Sequence, residues 1–297
     1  MFLNILKGWS KISIFNLLKN KWKITVIETG SFKLDGGAMM GSVPKVLWEK
    51  TNPADSLNRI DLSMRCLLLD NGTEKILIET GIGNKNSEKF NKIFSISQSA
   101  WPIKDKLKEF GYNVNDITHV IITHLHFDHA GGATIFNGEE TVPTFPNAQY
   151  IISKTNWDSA LNPSPKDRAS YLIENFMPLE DAGQVKLVDD NENLLNGING
   201  LAFYGHTYGQ QLIKISNKQD TLIFCADLIP LKSHLQIPWV MGYDLYPMKT
   251  LDEKTKLLNQ AAENNWILFF YHDPKSIAVR IKKSDKYYEI VEELKVD

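Results

Sequence analysis

Thr123-His124-Leu125-His126-Phe127-Asp128-His129-Ala130-Gly131-Gly132 packs three imidazoles and a carboxylate into a single short stretch of a chain that holds only 7 histidines in 297 residues. Such density needs a chemical cause. Alternate residues leaving a strand point the same way, so His124 and His126 can converge on one ion while the following turn carries Asp128 and His129 toward a second position. Neutral imidazole and carboxylate suit zinc, and also iron, manganese or cobalt.

One cluster cannot close two metal shells, which predicts further ligands downstream at strand ends. Three candidates stand there. Gly205-His206-Thr207 follows the apolar run Leu201 to Tyr204, Asp227 follows Leu222 to Ala226, and His272-Asp273 follows Ile267 to Tyr271. A ligand at the end of a buried strand faces a shared cleft while the strand stays rigid. Burying so many polar groups at one edge without a cation would be costly. His119, at the start of the strand that leads into the cluster, reads instead as structural, and Asp273 as a hydrogen-bonding turn residue. Asp70 belongs to a hairpin, and Asp35 with Gly36-Gly37 reads as a turn first and a substrate contact second.

Outward from the cluster, strand and helix patterns are mixed throughout. Arg65 to Leu69 and Lys75 to Glu79 flank Asp70-Asn71-Gly72-Thr73, where Asn-Gly accepts the positive φ angles of a primed hairpin turn. His119 to Thr123, Gln149 to Ser153, Val185 to Val188, Leu201 to Tyr204, Gln211 to Ser216, Thr221 to Ala226 and Trp266 to Tyr271 read as strands. Helices are predicted at Ile103 to Phe110, ended by Gly111, and at Asn156 to Leu161, Lys166 to Phe176 and Leu251 to Asn264. No linker rich in Pro, Gly or Ser divides the chain, so the expectation is one catalytic domain, 24–297, behind an amino-terminal extension, 1–23.

The ligand order His-x-His-x-Asp-His, then His, Asp and His resembles the metallo-beta-lactamase-fold hydrolases. That resemblance covers about residues 24 to 280. It implies an α+β fold, a four-layer αβ/βα sandwich with a dinuclear site at one edge. Carried over by position, His124, His126 and His206 would hold the first metal, Asp128, His129 and His272 the second, and Asp227 would bridge both. Asp128 and Asp227 are then the catalytic carboxylates, and the cofactor is a pair of divalent ions, zinc foremost.

Within the fold, a flavodiiron protein would show Glu where His126 stands, and the commonest zinc beta-lactamases place Cys where Asp227 stands. Glyoxalase II enzymes append a helical domain, whereas only a short tail follows His272 here. Three looser segments are similar to quorum-quenching N-acyl homoserine lactone lactonases and their methyl parathion hydrolase-like relatives. They are Leu34 to Gly41 with Val43-Pro44-Lys45 and Leu47-Trp48, then Glu79 to Asn84, and Ala226 to Pro230 with His234, Pro238-Trp239 and Tyr243-Asp244. The resemblance implies ring opening of such lactones by a metal-bridging hydroxide, with Asp128 shuttling the proton. An organophosphate or aryl-ester hydrolase with the same site is the alternative, and a metal-holding module without activity a third. One group of these lactonases has a Tyr three residues after the bridging Asp; here that position is Pro230, and Tyr208, His234 and Tyr243 are the substitutes considered. Phe32, Met39, Met40, Trp48, Pro238, Trp239, Met241 and Tyr246 flank the segments and could line an acyl groove, with Met39, Trp48, Trp239 and Tyr243 chosen as substrate-binding.

Composition bounds the rest. With 43% hydrophobic and 23% charged residues the chain is an ordinary globular one, and a formal charge of -2 gives no global basic field for nucleic acid or anionic lipid. Only 2 cysteines, Cys66 and Cys225, cannot staple a secreted scaffold of this size. The first residues mix Phe2, Leu3, Ile5, Leu6 and Trp9 with Lys7 and Lys11, an amphipathic pattern with no uninterrupted apolar run of about 18 residues. The expectations are a cytoplasmic enzyme without stable membrane insertion, a small ester or lactone as substrate, and a homodimer built on the amino-terminal helix.

Overall fold

Strand β1 (Lys23–Asp35) pairs antiparallel with β2 (Arg59–Asp70) along its whole length, with a bulge between Glu28 and Gly30. The structure, a computed structural model, describes residues 22–285 and 287–295. The extension expected at 1–23 therefore lies outside the described residues, apart from Trp22 and Lys23. Residues Leu62 to Leu69 of β2 are buried on both faces, as the near-continuous apolar run Met64 to Leu69 requires. Arg65 interrupts that run, and its guanidinium is compensated by Glu28 at 2.5 Å and by the carbonyl of Phe270 at 2.9 Å.

The first sheet continues through β3 (Lys75–Ile78), β4 (His119–Ile121), β7 (Gln149–Ser153) and β8 (Val185–Val188), and the pairings from β3 onward are parallel. Parallel neighbours need crossovers, and short helices supply them. The elements between are α1 (Gly36–Met40), α2 (Lys45–Trp48), α3 (Glu88–Ile93), α4 (Pro102–Glu109), α5 (Phe127–Ala130), α6 (Lys154–Leu161) and α7 (Met177–Asp181), with a two-stranded ribbon of β5 (Thr134–Phe136) and β6 (Thr141–Pro143). The second sheet runs in the order β15 (Tyr288–Leu294), β14 (Ala278–Lys283), β13 (Ile267–Phe269), β12 (Thr221–Phe224), β11 (Gln210–Ser216), β10 (Ile198–Phe203) and β9 (Asn193–Leu195).

Helix α8 (Pro247–Glu263) packs on β14, burying Thr250, Lys254, Leu257, Leu258 and Ala261 as one helical stripe, while α4 packs on β1. One buried core joins the two sheets. Helix, sheet, sheet and helix make the α+β sandwich that the ligand order implies.

Two expectations need correction. The β2–β3 hairpin forms, but its loop Asn71–Glu74 is four residues long and only Gly72 has a positive φ, 91°, so it is not a two-residue primed turn. Lys166 to Phe176 is not a helix. It folds as two 3-10 turns, Arg168–Ser170 and Ile173–Asn175, with the polar Asp167 and Asn175 buried and Ile173 exposed, the reverse of what an amphipathic helix would bury. Cys66 and Cys225 are free, buried thiols.

Candidate metal centre

Strand β4 delivers the chain to one edge of the sandwich, where Thr123 to His126 continue outside regular secondary structure and α5 turns the next four residues. That turn is cradled by the segment after β3. The Thr80 N–H and hydroxyl both donate to the His129 carbonyl, at 3.0 and 2.7 Å, and the Gly132 N–H donates to the Gly81 carbonyl at 2.9 Å. The approach is close enough that a Cβ on Gly131 would stand 2.0 Å from the Ile82 carbonyl oxygen.

His206 follows β10, Asp227 follows β12 and His272 follows β13. All seven sequence-chosen ligand residues meet at this edge, in three overlapping buried groups: His124, His126 and His206; His124, His129 and Asp227; and Asp128, His129 and His272. Within the first, His126 Nδ1 lies 3.1 Å from His124 Nε2 and 3.2 Å from His206 Nε2. In the last, His272 Nε2 lies 3.3 Å from His129 Nε2 and 3.4 Å from an Asp128 carboxylate oxygen. Asp227 spans them. Its Oδ1 is 3.3 Å from His129 Nε2 and 3.2 Å from His272 Nε2, while its Oδ2 is 3.3 Å from His206 Nε2.

These spacings fit a cation better than a hydrogen-bond network. Ligand atoms about 2.0–2.1 Å from a tetrahedral ion stand about 3.3–3.4 Å apart along each edge of the tetrahedron. Asp227 Oδ1, which faces His129 and His272, is buried without a hydrogen-bond partner among the described residues. The electrostatics agree. Burial and the neighbouring imidazoles hold His124 and His126 well below the ordinary histidine value, keeping them neutral and able to ligate. At His129 burial works the other way from the net result, since Asp227, Asp128 and Glu79 overcome it and raise the imidazole well above its usual range. Asp227 is also held against its burial, well below the carboxylate range, by His129 and His272.

The outer ring nitrogens are held in turn. His206 Nδ1 meets Asp244 Oδ1 at 2.9 Å, His272 Nδ1 donates to the Ser63 carbonyl at 2.9 Å, and His124 Nδ1 meets the Thr123 hydroxyl at 3.0 Å. Glu79, buried in a left-handed conformation at φ 67°, accepts from the Thr123 N–H at 3.1 Å and stands 3.4 Å from His129 Nδ1. Asp244 and Glu79 belong to the segments that resemble the lactonases, and Tyr271 ends the apolar run before His272, yet nothing in their local sequence marks them as partners of the histidines. His119 bonds through Nδ1 to Thr118, and the Asp273 carboxylate caps the N–H groups of Lys232, Lys275 and Ser276, so both sit as structural residues.

A cavity of about 260 Å³ opens onto His126, Asp128, His206, Asp227 and His272. Met39 and Tyr243 line it, together with Leu34, Phe94, Phe127, Met241 and Lys166. Trp48 and Trp239 do not. Trp48 is buried in the core against Gly36, where a Cβ would meet its ring at 2.5 Å, and Trp239 lines a different cavity. Of the three residues considered as substitutes at Pro230, Tyr243 faces the ligand cavity. Tyr208 bonds to the Tyr246 hydroxyl at the surface, and His234 donates to the Met39 carbonyl. Phe94 and Lys166 left no trace in the sequence, since each reaches the cavity from a segment far from the ligands.

The chain is 27% identical to the N-acyl homoserine lactonase AiiA of Bacillus thuringiensis subsp. kurstaki over 226 residues, 72% of this chain and 82% of that one. A probable metal-dependent hydrolase from Staphylococcus aureus superposes with a TM-score of 0.84 at 29% identity, covering 92% of this chain and 96% of that one. An N-acyl homoserine lactone hydrolase solved with the product N-hexanoyl-L-homoserine at its catalytic metal centre superposes with a TM-score of 0.65 at 25% identity, over 86% of this chain and 94% of that one. The profile of the metallo-beta-lactamase superfamily matches residues 62–272, from β2 to the last of the seven ligand residues, and the chain belongs to that superfamily.

Proposed function

We propose that this metallo-beta-lactamase-fold hydrolase opens the lactone ring of N-acyl homoserine lactones at a dinuclear zinc site. The observation that carries the reading is Asp227, whose two oxygens face the two histidine groups separately, at an apolar-walled cavity. The AiiA relative and the hydrolase with a product at its metal centre support the choice of substrate.

His124, His126 and His206 would hold one ion, Asp128, His129 and His272 the other, with Asp227 shared. Two divalent ions held there would lower the pKa of water toward neutrality and polarise an ester carbonyl. The chain's own groups do the remainder. Asp244, Ser63, Thr123 and Glu79 fix the imidazole orientations before substrate arrives. Asp128, at the cavity wall, moves one proton of the attacking water to the ring oxygen as the acyl–oxygen bond breaks, leaving an alcohol and a carboxylic acid that ionises and releases its proton to solvent. Burial, with the carboxylates of Asp35 and Asp128, pushes the Tyr243 phenol up to about 12, so it stays protonated and donates to the carbonyl oxygen. Leu34, Met39, Phe94, Phe127 and Met241 receive the acyl chain and exclude water.

The test is acid release from a panel of acyl homoserine lactones by the zinc-loaded chain, followed with a pH indicator. The expected result is turnover that a chelator abolishes and zinc restores. A panel left intact beside turnover of paraoxon-type esters would replace this reading with organophosphate hydrolysis.

A further inference from the structure

A second cavity exceeds the one at the ligands in volume. It encloses about 740 Å³ between the end of α2, the start of β2, the 3-10 turn Lys232–Leu235 and the turn that follows His272. Leu47, Ile60, Trp239 and Pro274 give it an apolar wall. Its charged groups are of two kinds. Lys232 is paired with Glu293 at 3.1 Å, Asp61 with Lys33 at 3.1 Å, and the Asp273 carboxylate is saturated by three backbone N–H groups. Lys50 and Lys275 line the cavity with solvent-exposed side chains that make no hydrogen bond or ion pair among the described residues, and the Ser233 hydroxyl beside them is buried and unpartnered.

An apolar wall beside two uncommitted cations is complementary to an amphiphilic anion. We propose that this cavity binds a carboxylate carried on an acyl chain, with the chain against Trp239, Ile60 and Leu47 and the carboxylate held by Lys50 and Lys275. The site is separate from the ligand cavity, yet both adjoin the turn at His272 and Asp273. The product of the proposed reaction, an N-acyl homoserine, belongs to this chemical class, and in that respect alone the inference rests on the lactonase reading. A simple fatty carboxylate tests the cavity independently of it.

The experiment is calorimetric titration of decanoate, and separately of N-decanoyl-L-homoserine, into the zinc-loaded full chain. Saturable binding is expected, weakened about tenfold in the Lys50→Ala/Lys275→Ala double variant and weakened also in Trp239→Ala, while lactone opening by the double variant is unchanged. Three results overturn the proposal: no saturable binding of decanoate; binding undiminished in the double variant, which would place the carboxylate at the histidine groups; or 1-decanol binding as tightly as decanoate, which would remove any role for the cations. Loss of lactone turnover with decanoate binding retained would instead refute the lactonase reading and leave the cavity intact.

Discussion

The ring of Tyr271 stacks on His129 with centroids 4.5 Å apart and an interplanar angle of 29°, while its hydroxyl donates to the main-chain carbonyl of Asp128 at 2.6 Å. The same ring meets His272 edge-on, also at 4.5 Å. One buried side chain therefore touches Asp128, His129 and His272, all three members of the last group. Tyr271→Phe keeps the stack and removes only the hydroxyl, leaving the Asp128 carbonyl without that donor. The expected outcome is about tenfold weaker retention of one of two ions, a typical effect for a group that orients a ligand. Metal content after dialysis against chelators of graded strength checks it, and equal retention of both ions would refute it.

Asp244→Asn addresses the other group. Its carboxylate holds His206 Nδ1 at 2.9 Å and accepts the Met241 N–H at 3.2 Å, so an amide can keep one contact but not the negative charge beside the imidazole. Retention of the other ion should fall by about 10- to 100-fold. The visible spectrum of the cobalt-substituted protein should change differently in Asp244→Asn and Tyr271→Phe; matching spectra would mean that the two residues do not act on separate ions.

The ligand residues were legible because their chemistry is dense in sequence. Three histidines and a carboxylate in one turn, followed by single His or Asp residues at the ends of apolar runs, describe side chains that must meet. The groups that orient them were not. Asp244, Glu79 and Tyr271 act through contacts set by the approach of distant strands, and nothing in their local pattern differs from an ordinary loop, turn or core residue. The same limit explains Trp48 and Trp239. Proximity to a motif along the chain says that an aromatic is near the site, whereas tertiary packing decides what it faces: Trp48 is buried against Gly36 and Trp239 lines the other cavity. Lys166 to Phe176, predicted as a helix, instead buries the polar Asp167 and Asn175 in short 3-10 turns.

Tyr243→Phe separates carbonyl assistance from binding. With its phenol raised to about 12, Tyr243 remains a donor throughout the pH range of an ester assay. Removing a donor that acts on developing negative charge should lower kcat by about 10- to 100-fold with little change in KM. An increase in KM at constant kcat would make Tyr243 a wall of the cavity and no more.

Gly131→Ala tests the cradle beneath the ligand turn. Its Cβ would stand 2.0 Å from the Ile82 carbonyl oxygen and 2.5 Å from the Ile82 carbonyl carbon, both backbone atoms that cannot swing away. The Thr80–His129 and Gly81–Gly132 bonds would have to lengthen. A loss of roughly 2–4 kcal/mol in urea unfolding is expected, together with weaker metal retention. Wild-type stability in this variant would show that the 79–83 segment is free to move.

Lys254 makes stability depend on pH through a group outside the seven histidine and aspartate positions. Its side chain is buried in α8 and donates to the carbonyls of Gln236 at 3.1 Å and Trp239 at 2.5 Å, with no carboxylate in contact. Burial lowers the ammonium from 10.5 to about 7, only partly opposed by the charge of Asp244. Because the folded value lies below the unfolded one, the unfolded chain binds the extra proton between about pH 7 and 10.5. The penalty for burying the charged form is thus fully present below about pH 7 and is relieved as pH rises through that window. Lys254 should add a positive slope of at most about 1.4 kcal/mol per pH unit to unfolding free energy measured from pH 7 to 9. Lys254→Met removes the titrating group, so its slope should be smaller than wild type by that amount, even though two carbonyls lose their donor and absolute stability falls. Parallel slopes in wild type and variant would mean that Lys254 stays charged in the folded chain at alkaline pH.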